Sequence, residues 1–164
     1  MRRRLLFILG LPMMLAAFVM SASPALAQSP HFIGTPSCTK SLTSGLTCSG
    51  KAAGLGNEPA SVFLTASSVT ANYVCVNKGG NVAPGQPVVT QNAQGPTQMI
   101  TPHNGQITFS ATLPVPAPPS AATECPNGNW RVQLTSLTYT DVMLHIQQPA
   151  GVEILTFNFG TIDP

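Results

Sequence analysis

The stretch Ala71-Asn72-Tyr73-Val74-Cys75-Val76-Asn77-Lys78-Gly79-Gly80-Asn81 is an apolar, β-favouring run that carries a cysteine and breaks at once into a glycine turn. Tyr and Val fit a pleated, half-buried surface, and Gly-Gly-Asn supplies the backbone freedom of a tight reversal. It reads as a core strand pinned by a disulfide. Just before it, Val62, Leu64 and Ala66 share one face and Phe63, Val69, Ala71, Tyr73 and Cys75 the other. That pattern suits one long strand with a bulge near Ser67-Ser68, or a hairpin.

Beyond the turn, Ala83-Pro84-Gly85-Gln86-Pro87 is a spacer, and short strands are expected over 88–90 and 97–101. Residues 106–113 alternate cleanly, with Ile107, Phe109, Ala111 and Leu113 inward and Gln106, Thr108, Ser110 and Thr112 outward. Pro114, Pro116, Pro118 and Pro119 then make a stiff, extended crossover to Cys125. Three more strands are expected over 130–139, 142–147 and 152–159, with turns at Asp141 and Pro149-Ala150-Gly151. On the N-terminal side a strand starts at Leu46 and ends at the Gly54-Leu55-Gly56-Asn57-Glu58-Pro59 turn, which lacks the Lys-Ser/Thr of a phosphate loop. Residues 28–38, punctuated by Pro30, Gly34 and Pro36, read as a tether with one short strand at best. No 3.6-residue apolar period persists. The expected fold is therefore all-β: an antiparallel, immunoglobulin-like β-sandwich of about seven to nine strands.

Arg2, Arg3 and Arg4, an apolar run from Leu5 to Met20 and small residues at Ala25 and Ala27 form the pattern of a secretory signal peptide. The expected division is a leader over 1–27 and a single domain over 28–164, placing the protein outside the cell or in its envelope. The whole sequence carries a formal charge of +2, but three of its seven cations lie in the leader, so residues 28–164 carry −1. No basic surface is left for nucleic acid or, once the leader is cleaved, for an anionic membrane. The partners this leaves are a polysaccharide or another extracellular protein.

Four cysteines in an exported chain read as two disulfides rather than a metal site. Of the three connectivities, Cys38–Cys48 around a Ser44-Gly45 turn and Cys75–Cys125 are favoured. Chemistry-bearing groups are sparse. His31, His103 and His145 have no metal-ligand spacing, the five carboxylates fall in five separate segments, and no nucleophile elbow occurs. No catalytic residue, metal ligand or cofactor motif is assigned. Trp130 is expected to pack beside a disulfide, its surface alternative being a sugar-stacking platform, and Tyr73 and Tyr139 suit either role.

The series Gly54-Leu55-Gly56-Asn57, Cys75 with Asn77, Gly79-Gly80-Asn81, Pro84-Gly85-Gln86, then Cys125-Pro126-Asn127 and Trp130 resembles a group of small exported microbial proteins known only as hypothetical. The resemblance spans about residues 46–147 and implies no activity, ligand or catalytic residue; both Cys75 and Cys125 belong to it. The function expected is a non-catalytic surface or matrix module that binds polysaccharide or a cell-wall component, with Trp130, Tyr73 and Tyr139 as candidate contacts. The alternative is an extracellular protease inhibitor presenting the disulfide-braced segment Ser120 to Cys125.

Overall fold

The computed structural model describes residues 29–163. The leader reading of 1–27 and the expected start at Gln28 lie outside the described residues. Over the described residues the chain is all-β and antiparallel, with two disulfides, and nine strands form two sheets.

The smaller sheet has the order β1 (His31–Ser41), β2 (Gly45–Ala53), β7 (Gln106–Leu113). β1 corrects the expected tether: it is an 11-residue strand. Its pairing with β2 shifts between Ile33 and Ser37, where Gly34 takes φ 72°. This bulge takes up Pro36, which has no N–H for a ladder, and the strand resumes so that Cys38 pairs with Cys48 and bonds to it. β7 is as expected, with Ile107, Phe109, Ala111 and Leu113 buried.

The larger sheet is built on β3 (Ala60–Asn77) and β8 (Trp130–Gln147), two paired strands of 18 residues each, with β9 (Glu153–Ile162) beyond β8. Along its other edge β3 pairs in turn with β6 (Gln98–Ile100), β5 (Val88–Gln94) and β4 (Val82–Pro84). β4 corrects part of the expected spacer, and β8 corrects the turn expected at Asp141, which lies inside a continuous strand.

β3 and β8 change phase at one level. In β3 the buried residues are Val62, Leu64 and Ala66, then Val69, Ala71, Tyr73 and Cys75; in β8 they are Leu137 and Tyr139, then Val142, Leu144 and Ile146. The inward parity changes in both strands at the same level. Asn92 (φ 50°) on β5, opposite Ser67, and Asp141 (φ 51°) on β8 are left-handed at that level, as is Gly160 (φ 69°) on β9 beside it. A left-handed residue resets the two-residue pleat in β5, β8 and β9, and β3, which has none, changes parity beside them, so the sheet is creased along a line through four strands. Ser67 Oγ ties the line by donating to Thr140 O (3.1 Å) and Asp141 Oδ2 (3.0 Å). The faces that sequence alternation separates therefore both turn inward; Phe63 alone of the second set stays outside.

The inward faces of both sheets form one buried cluster, from Leu46, Ile107, Phe109 and Leu113 on one side to Val62, Leu64, Leu137, Tyr139 and Leu144 on the other. Each fully buried large apolar side chain contributes roughly 1.5–3 kcal/mol. Phe32 of β1 closes one flank edge-on to Phe109 (6.4 Å) and Phe157 (5.7 Å). Polar links join the sheets as well, Lys40 Nζ donating to Leu137 O (2.9 Å) and Tyr139 Oη to Leu113 O (3.5 Å). On the opposite flank Gly95 donates to Leu64 O (2.9 Å) and passes over β7 so closely that a Cβ there would lie 1.8 Å from Thr112 O.

Candidate functional site

The β3–β8 pair ends where Asn77 pairs with Trp130. Each strand enters this end through a turn closed by an asparagine. Asn77 Oδ1 accepts from the Asn81 N–H (2.9 Å), and Asn127 Oδ1 accepts from the Asn129 N–H (3.1 Å). The Cys75–Cys125 disulfide lies next to both turns, and the short helical turn α1 (Ala121–Glu124) leads into it. Two reversals held by local hydrogen bonds and one covalent link give side chains on this end fixed anchor points.

Between the turns is a depression of about 270 Å³ lined by Asn77, Lys78, Gly128, Asn129, Trp130 and Arg131. Trp130 is half-buried. The other two aromatic candidates are placed differently. Tyr73 is 5% exposed and donates to Pro116 O (3.0 Å), and Tyr139 is fully buried. Neither ring offers a face to solvent, which takes both out of the set a polymer could stack on. Burial raises both phenols above the ordinary value of 10.0, for Tyr139 against a smaller downward pull from the Leu46 backbone.

A second polar array lies on the outer face, toward the far end of the same strands. His145 stacks on Phe63 (4.9 Å, 10° between planes), shares a hydrogen bond between Nε2 and Thr65 Oγ1 (2.9 Å), and places Nδ1 3.1 Å from Glu153 Oε2. The order hydroxyl, imidazole, carboxylate is that of a nucleophile, base and orienting acid. Its setting differs: β3 and β8 each have a strand on both sides, so their N–H groups serve ladders and are not free as oxyanion donors. Here the array ties three strands together. Sequence spacing gave no sign of it, because Thr65, His145 and Glu153 meet only through the register of three strands.

Glu58 and Glu124, the carboxylates most open to a paired role, lie at opposite ends of β3. Glu58 precedes Ala60, while Glu124 directly precedes Cys125, which is bonded to Cys75 near the other end of the strand. The intervening strand, at about 3.3 Å per residue, is roughly 50 Å long. His103 is in an exposed turn and His31 near the start of β1. No group of three or more His, Cys, Asp or Glu among the described residues has metal-binding geometry.

The proline segment does not stand away from the body. Pro114, Val115 and Pro116 lie against Val69, Ala93 and Gln94 around a groove of about 230 Å³. Ser120 to Cys125 is coiled, with Thr123 and Glu124 N–H groups donating to Ser120 O (3.1 Å each). A peptide pairing with a protease cleft is extended, and this segment is not.

The chain matches no protein-family model, no curated protein and no solved structure, so the site is read from its own residues.

Proposed function

We propose that the protein is an exported, disulfide-stabilised binding module that recognises polysaccharide or another cell-wall component through the depression around Trp130. The observation that carries this reading is the position of Trp130: a half-buried residue that lines one depression with Asn77, Asn129, Lys78 and Arg131, on an end held by a disulfide. An indole offers an apolar face to the C–H side of a sugar ring, and the surrounding groups hydrogen-bond its hydroxyls. Export is supported by the leader pattern of residues 1–27 and by two disulfides, which persist in oxidising compartments.

The test is depletion of the oxidised protein from solution by insoluble polysaccharides and cell-wall preparations. Specific depletion by one polymer is expected, reversed by its soluble fragments and abolished in Trp130→Ala. Absence of depletion by every polymer tried overturns the reading.

A further inference from the structure

Resting on that reading, we propose that the Trp130 depression is specific for acidic saccharides, with Arg131 and Lys78 receiving the carboxylate of a uronic acid. Residues 28–164 hold four cationic side chains, Lys40, Lys51, Lys78 and Arg131, and two of them line this one depression. Lys40 is half-buried and donates to Leu137 O, and Lys51 lies on the other sheet. Among the described residues the single carboxylate ion pair is His145–Glu153 at 3.1 Å, so neither Arg131 nor Lys78 has an acid within 4.0 Å. Two cations in a chain of net negative charge are thus gathered and left unneutralised.

The hydrogen-bond inventory points the same way. Arg131 brings five N–H donors and Lys78 three, and neither can accept. Asn77 Oδ1 is taken by the Asn81 N–H, leaving its amide donor, and Asn129 contributes one amide. No carboxylate lines the depression. A neutral sugar presents hydroxyls that must donate as well as accept, and here side-chain donors outnumber side-chain acceptors. A uronate supplies two carboxylate oxygens that only accept, matching guanidinium in a bidentate fashion, and keeps a C–H face for the indole. The approach is open: a Cβ built on Gly80 or Gly128 would meet nothing within 4 Å.

The probes are polygalacturonate and its fully methyl-esterified form, which share one backbone and differ in carboxylate charge, with dextran sulfate as a plain polyanion. Binding is read from the fluorescence of Trp130, the sole tryptophan. Polygalacturonate is expected to bind about tenfold or more tightly than the ester, and the preference should shrink as salt shortens the screening length. Arg131→Gln and Lys78→Gln, checked for an unchanged urea midpoint, should each reduce the preference, and the double variant should bind both forms alike. Trp130→Ala, read by depletion, should weaken both forms together. Equal binding of acid and ester, or a preference the double variant keeps, overturns the acidic specificity and leaves a neutral-polysaccharide module standing. Dextran sulfate binding as tightly as polygalacturonate overturns it too, as that marks a bare charge patch. Absence of binding by these probes and by every neutral polymer overturns both readings.

Discussion

At the Ala60–Gln147 end of the β3–β8 pair, the Gln148 side chain acts like an extra stretch of backbone. It accepts from Gly56 N–H (2.8 Å) and donates to Gly56 O (3.2 Å) and to Glu58 O, while His145 ties β3 to β9 on the outer face. At the Asn77–Trp130 end the closure is covalent, through Cys75–Cys125, and the side chains around it keep their donors unspent. The same two strands are thus finished differently: by Gln148 donors and acceptors at one end, and at the other by a disulfide with two asparagine oxygens that accept from local N–H groups. Hydrogen-bonding groups that close a structure are no longer free to recognise anything, whereas a disulfide holds a segment and consumes no donor. The difference explains why the candidate site is at the second end.

The comparison breaks most sharply if the covalent closure is removed. Cys75→Ala with Cys125→Ala opens a loop of 50 residues and is expected to cost about 4 kcal/mol on the chain-entropy model, read as a lowered urea midpoint. Trp130 emission should shift as its anchor loosens. Gln148→Ala attacks the other end. Loss of three backbone contacts should cost about 2 kcal/mol, and Trp130 emission in the folded protein should stay unchanged; a shift there would mean the ends are not independent. Between them lies the crease. Asp141→Val puts a β-branched residue at φ 51° and should cost about 1.5 kcal/mol, while Asp141→Gly, free of that dihedral cost, should lose about half as much by the same denaturation.

Alkali sharpens the comparison without a mutation. The chain has two tyrosines, both with phenols raised by burial. Their contribution to stability is fully present below the unfolded value near 10.0. Above it the unfolded chain releases protons first, so stability falls as pH rises toward and through the folded values. Tyrosinate absorbance and far-ultraviolet circular dichroism should change together in a pH titration. If one phenol ionises ahead of the circular dichroism change, the Tyr73 end opens separately.

Legibility in the sequence followed continuity of the pleat. The strand from Gln106 to Leu113 was readable residue by residue because no bulge or left-handed residue interrupts it. β3 and β8 were recognised as strand but misphased, since Ser67 and Asp141 look like a bulge and a turn when each is read alone. Only their juxtaposition shows one crease. β1 was hidden because Gly34 and Pro36 are local punctuation, whereas its pairing is imposed by β2 and the Cys38–Cys48 bond. Both disulfides were readable from spacing and turns. At the site the sequence singles out Trp130 but not its neighbours: Lys78 and Arg131 are 53 positions apart and line one depression only through the Asn77–Trp130 register. The sequence leaves both roles open for the two tyrosines because an aromatic on an alternating strand carries no mark of which face is inward; the structure buries both.

The crease also bears on how the backbone amides exchange with solvent. The β3–β8 ladder breaks between Thr65 and Ser68, and the β8–β9 ladder between Tyr139 and Val142. Deuterium should therefore enter along a line through the middle of the larger sheet while amides on either side remain protected, dividing it into two cooperative blocks. One block carries the Trp130 depression with its disulfide and the other the Gln148 closure, so the two ends should exchange their amides independently.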